Sequence, residues 1–129
     1  MNDSDRLNRG LTNRRAVLGD AHVDRSMSRA TEVDREFQNL ITRYAWGEIW
    51  DRPGLDRRTR SLLTIVMLLA LGHEEEFKLH LRASSACGVT RAEIVEALLQ
   101  SAIYCGVPAA NTAFRLAKEV FAEMDGAQP

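Results

Sequence analysis

Apolar residues recur three and four positions apart along most of the chain, and no turn-bounded stretch alternates apolar with polar, so the pattern predicts helices and no strands. The first helix spans about Asp5 to Leu18 and closes at Gly19. Its apolar stripe, Leu7, Leu11 and Leu18 among Arg6, Arg9, Arg14 and Arg15, is thin, and a helix so equipped is marginal alone. Residues 20–28, with the stretch Ala-His-Val-Asp-Arg-Ser, read as a loop. Thr31 to about Tyr44 presents Val33, Phe37, Leu40, Ile41 and Tyr44 on one face of an amphipathic helix. Trp46 to Trp50 extend or follow it, and Arg52-Pro53-Gly54 breaks the chain.

Asp56 is placed to cap the next helix, which runs to a stop at Gly72. Between Leu62 and Leu71 that helix is apolar on nearly all sides, which predicts a central place in a bundle. His73 to Ala86 forms another helix, with Glu74, Glu75 and Glu76 favoured in its first turn by the helix dipole and Gly88 near its end. Thr90 and Glu93 make a capping box for a helix from Arg91 to about Cys105. Gly106 and Pro108 then turn the chain into a last helix, Ala109 to Met124, followed by a frayed tail over residues 126–129. The expectation is a six-helix, all-α bundle.

Length predicts one core: 129 residues are expected to form a single domain, 1–129, because a second core needs roughly another 100. Seventeen basic against eighteen acidic residues leave a net charge of -1, too balanced for a chain that grips nucleic acid by bulk charge. The distribution is less even. Fifteen of the basic residues are Arg, and twelve of these lie in residues 1–60, a bias that suits carboxylate recognition and ion-paired subunit contacts alike. The longest apolar run is about half of the roughly 20 residues a membrane-crossing helix needs, so no membrane partner is expected. The polar, Arg-rich opening lacks the apolar stretch of a signal peptide, so a cytoplasmic protein is expected. Cys87 and Cys105, 18 apart, match neither a zinc cluster nor a redox pair and read as packing residues.

The densest polar cluster is Gly-His-Glu-Glu-Glu-Phe-Lys-Leu-His-Leu-Arg, residues 72–82. Glu76 and His80, four apart, share a helix face, where a carboxylate orients an imidazole and raises its pKa toward that of a useful acid. The same residues also read as a solvated first turn with an ordinary histidine behind it. His73, Glu76 and His80 are possible metal ligands on one face, but no HExxH or second histidine-carboxylate motif completes a shell, and no metal is expected. Glu48, between Trp46 and Trp50, is a candidate carboxyl in apolar surroundings, where desolvation favours its protonated form; alternatively the tryptophans are core anchors and Glu48 pairs with an Arg. Arg52, Arg57, Arg58 and Arg60 form one basic turn and Arg14 with Arg15 another, either able to hold a small dianionic acid or a neighbouring subunit. His22 lies between two Asp and suits catalysis, substrate binding or a turn. Signatures for nucleotide binding and serine hydrolysis are missing from the sequence.

Four stretches, residues 17–25, 52–64, 78–83 and 88–114, together with Tyr44 to Trp50, resemble the carboxymuconolactone decarboxylase family, and the likeness runs from about residue 9 to residue 124. The surrounding alkylhydroperoxidase D-like superfamily includes disulfide reductases that carry CxxC seven and four residues before a histidine. Those positions here hold His73 and Glu76, so thiol chemistry lacks its nucleophile. The resemblance implies the alkylhydroperoxidase D-like helical fold, a homo-oligomer, commonly a hexamer, and an amino-terminal helix (residues 1–20) packed on a neighbouring subunit. It implies a carboxy-lyase of protocatechuate breakdown that converts γ-carboxymuconolactone (2-carboxy-5-oxo-2,5-dihydrofuran-2-acetate) to β-ketoadipate enol-lactone and CO2 without a cofactor. On that resemblance His80 is the general acid, Glu76 its orienting partner and Glu48 a second ionisable group, with Arg15, Arg58, Arg60 and His22 contacting the dicarboxylate lactone. The competing expectations are a decarboxylase or isomerase of another lactone or keto acid, and a non-catalytic helical oligomerisation module.

Overall fold

The structure, a computed structural model, describes residues 2–126, and within them every regular element is helical. The tail expected to fray lies, beyond Gly126, outside the described residues. The helices are α1 (Asp3–Leu18), α2 (Asp20–Arg29), α3 (Arg35–Ile41), a π-helical segment (Thr42–Ile49), α4 (Arg57–Leu71), α5 (Glu74–Ala83), a 3-10 turn (Ser84–Cys87), α6 (Arg91–Tyr104) and α7 (Val107–Met124). Seven α-helices replace the expected six, because residues 20–29, expected to be a loop, are helical. Gly19, at φ 91°, ends α1 and leads directly into α2, so the break between them is one residue long. Contacts divide the described chain into two compact units that meet at Asp56 and Arg57.

In the first unit α1 lies against the π-helical segment, and its leucine stripe is not what holds it there. The buried residues of α1 are Gly10, Asn13, Arg14 and Val17. Gly10 and Gly47 let the two backbones touch: a Cβ on Gly10 would fall 1.9 Å from the Thr42 carbonyl oxygen, and one on Gly47 2.2 Å from that of Arg6. Asn13 secures the contact by donating Nδ2–H to the Trp46 carbonyl at 2.8 Å. The face expected to pack inward from Thr31 to Tyr44 is largely exposed, with Val33 at 89% and Phe37 at 57%. Val33 lies in the turn ahead of α3, outside any helix, and beyond Ile41 the chain enters the π-helical segment. Its wider turn, marked by Trp50 N–H donating to the Ala45 carbonyl five residues back, resets the register and turns Thr42, Trp46 and Gly47 inward instead.

The second unit packs α4 to α7 around Ile65, Leu69, Phe77, Leu81, Ile94, Leu98, Leu116 and Val120, each hidden side chain contributing roughly 1.5–3 kcal/mol. The expected capping box is present: Thr90 Oγ1 accepts from Glu93 N–H at 3.1 Å, and Glu93 Oε1 from Thr90 N–H at 2.9 Å. Gly88, at φ 84°, ends the 3-10 turn in the left-handed conformation. The central place expected for α4 is only half realised. It buries Ser61, Ile65 and Leu69, while Leu63, Met67 and Leu71 face outward, because the chain packs α5, α6 and α7 against one side of it.

Candidate active site

The seven residues singled out from the sequence are split between the units, with Arg15, His22 and Glu48 in the first and Arg58, Arg60, Glu76 and His80 in the second. His80 sits on the inward face of α5 with Phe77, Leu81 and Ala83, and is only 9% exposed. A buried imidazole in apolar company is held in a fixed orientation, which a proton donor requires. Glu76 lies one turn earlier and is exposed, so the pair combines a sheltered ring with a solvent-facing carboxylate. Lys78, between them, is drawn to Glu75 at 3.2 Å. A cleft of about 250 Å³ between α4, α5 and α7 is lined by Glu74 and Phe77 rather than by His80.

Arg58 and Arg60 lie in the first turn of α4. Arg58 forms an ion pair with Glu93, the capping-box residue of α6, and Arg60 is partly buried. The Cys87 thiol is buried beside the Ser61 hydroxyl, and burial pushes its pKa up, which keeps it protonated and inert. Cys105, expected to pack inside, is instead exposed. It follows Tyr104 at the end of α6 on the rim of an open groove.

In the first unit Glu48 is not enclosed by the tryptophans. Trp46 and Trp50 stack on each other with ring centroids 4.9 Å apart, and the Glu48 side chain, 42% exposed, accepts from Arg6 Nε–H at 3.2 Å. The alternation of Trp and Glu suggested apolar flanks, but the π-helical turn turns the carboxylate toward α1. Arg15 donates to Asp20 at 3.1 Å and to Asp24 at 2.7 Å, and these hydrogen bonds raise its pKa. His22 is half-buried on α2, whose helical course the sequence did not reveal. Among the described residues no three His, Cys, Asp or Glu side chains converge as a metal site.

Sequence reasoning passed over Arg14, which named no role beyond its place in a basic pair. It is one of the few buried charged residues, and its two hydrogen bonds go to neutral acceptors, Thr42 Oγ1 at 3.2 Å and Gln38 Oε1 at 3.1 Å. Adjacent arginines look alike in a sequence, but they point about 100° apart on a helix.

Comparison with known proteins covers both units. The profile of the carboxymuconolactone decarboxylase family matches residues 35–119. A 4-carboxymuconolactone decarboxylase of Acinetobacter baylyi is 50% identical over 124 residues, 96% of this chain and 92% of that protein. A nitrosuccinic acid decarboxylase of Metarhizium robertsii is 41% identical over 89% of this chain and 80% of its own length. A 48-residue stretch of this chain is 48% identical to the whole of a Pseudomonas putida sequence named 4-carboxymuconolactone decarboxylase. The chain therefore belongs to the carboxymuconolactone decarboxylase family.

Proposed function

We propose that this protein is a cofactor-independent carboxy-lyase that converts γ-carboxymuconolactone to β-ketoadipate enol-lactone and CO2. The observation that carries this reading is the 50% identity to the Acinetobacter enzyme over 96% of the chain, which reaches well beyond the family match at 35–119. The chemistry needs little from the protein. The departing carboxylate sits on the ring carbon γ to the lactone carbonyl, across a double bond, so the electron pair left by CO2 delocalises onto the carbonyl oxygen as a dienolate. Protonation of the α carbon then places the double bond in the enol-lactone position. One proton is taken up and one CO2 leaves, with no change in redox state.

Three tasks remain for side chains: holding two carboxylates, stabilising the dienolate oxygen, and delivering the proton. His80 is the proposed proton donor, supported by its burial on α5, and Glu76 the residue that orients it. Glu48 is proposed as a second proton-carrying group. Arg15, Arg58, Arg60 and His22 are the proposed substrate contacts. Arg15 and Arg58 already hold carboxylates of the chain, so a substrate binds there by exchange with Asp20 and Asp24 or with Glu93.

The chain is further proposed to act as a homo-hexamer in the cytoplasm. The outward face of α4 supports assembly: Leu63 and Met67, with Tyr104 from the end of α6, are exposed along a groove of about 510 Å³. A second reading, supported by the Metarhizium relative, is decarboxylation of another small dicarboxylate with its own electron sink; in nitrosuccinate the nitro group takes that role.

The test is a CO2-release assay with γ-carboxymuconolactone generated from protocatechuate by upstream enzymes. Turnover is expected for the native chain, and a fall of roughly 100-fold or more for His80→Gln with fold retained. Activity of His80→Gln within about threefold of native removes the imidazole from the scheme. A native chain that is inert on the lactone and active on nitrosuccinate selects the second reading.

A further inference from the structure

Arg14 is 6% exposed and lies on the wall of a cleft of about 250 Å³ in the first unit, formed by α1, α2, α3 and the start of the π-helical segment. A guanidinium carries five N–H groups, and Arg14 commits two of them, to Thr42 and Gln38. Its Nε is buried without a hydrogen-bond partner. Among the described residues no carboxylate stands within 4.0 Å of it, although Arg6, Arg9 and Arg15 on the same helix all have one. Burial lowers its pKa, and no acidic neighbour opposes that shift.

A buried cation matched only with neutral acceptors has a counter-charge missing, and the cleft is where one fits. Its walls are apolar at Leu7, Leu11, Met27 and Ala30, while Arg35 adds a second, exposed cation to its lining. Gln38 turns its oxygen toward Arg14, so its amide N–H groups remain as further donors. The volume falls short of the roughly 300–1,000 Å³ of a pocket for a drug-sized molecule, which restricts the occupant to a small acid.

We propose that this cleft binds a small organic dicarboxylate, one carboxylate seated on the buried guanidinium of Arg14, the carbon chain along the leucine and methionine wall, and the second carboxylate toward Arg35. The planar fork of Arg suits a carboxylate, and the shelter of the cleft strengthens the bond. This site goes beyond the proposed proton donor and does not depend on the identity of the reaction. Binding is therefore read without turnover, by calorimetric titration of the full chain with glutarate and, as neutral control, glutaramide.

Glutarate is expected to bind and glutaramide not to bind. Arg14→Gln should weaken glutarate binding by roughly 30-fold or more. Ala30→Phe fills the cleft from the opposite wall and leaves Arg14 intact. It should abolish the same binding with the circular dichroism spectrum unchanged, and it decides the matter if Arg14→Gln fails to fold. Glutarate binding that survives Ala30→Phe within about threefold overturns the proposal. So does an absence of glutarate binding by the native chain, and a change in particle mass for Arg14→Gln then assigns the counter-charge to a carboxylate of a second copy.

Discussion

Gly10→Ala gives a sharp test of how the first unit is held together, because two effects of opposite sign act at one position. Helix propensity favours alanine in the interior of α1 by about 1 kcal/mol. Packing opposes it. The added methyl would stand 1.9 Å from the Thr42 carbonyl oxygen, where ordinary contact begins at 3.4 Å, and its obstacle is backbone that no rotamer change can move. α1 and the π-helical segment must separate by about 1.5 Å, a displacement that costs about 3 kcal/mol, at the upper end of overpacking penalties. The same movement stretches the bond from Asn13 to the Trp46 carbonyl, now 2.8 Å, and that from Arg14 to Thr42, now 3.2 Å, at about 1 kcal/mol each. The net expectation is destabilisation by about 4 kcal/mol. Urea denaturation followed by far-UV circular dichroism, at one protein concentration, should show a midpoint about 2 M lower. Gly54→Ala is the control: its Cβ meets nothing within 4 Å, and stability should change by no more than about 0.5 kcal/mol. If Gly10→Ala leaves the midpoint unchanged or raises it, the backbone contact does not exist in solution and α1 is held by something else.

Other perturbations address the remaining structure. Met67→Asp places a charge on the exposed side of α4 and should lower the particle mass measured by light scattering while the helical spectrum persists; an unchanged mass rejects the α4–α6 face as the contact. Glu48→Gln keeps volume and removes a charge from a part-exposed ion pair, so stability should move by less than about 1 kcal/mol, and any larger loss of turnover is chemical in origin. Arg91 holds Asp125 below the usual carboxylate range, mainly through their hydrogen bond. A depressed carboxylate stabilises the fold above its unfolded pKa near 3.8 and loses that contribution as pH falls through the lower folded value, so Asp125→Asn should flatten the stability profile below pH 3.8 and act the same way as acid.

The parts of the fold legible in the sequence were those governed by neighbours in the chain. Thr90 with Glu93, Gly88, Gly106 and Pro108 fix the ends of α6 and α7 by local hydrogen bonds and backbone preference, and their effects were readable without knowing what packs against them. α2 escaped because it is short and polar overall, with Val23 as its one buried residue, and so reads as a connecting loop. The π-helical segment escaped for a different reason: a pattern read at 3.6 residues per turn cannot register a wider turn, so the inward set Thr42, Trp46 and Gly47 was not visible. At the candidate site, the spacing of Glu76 and His80 was visible, as was the abundance of Arg. Which arginine lacks a carboxylate was not, because that depends on Asp20 and Asp24 reaching back to Arg15 from the next helix and none reaching Arg14.

The outward apolar side of α4 ties the chain's folding to its abundance. Leucines and a methionine left bare when the second unit closes are a driving force for self-association, so the melting temperature should climb as the solution is made more concentrated. Dilution would then act as a denaturant, and a newly made copy would be at its most vulnerable in the interval before it meets another.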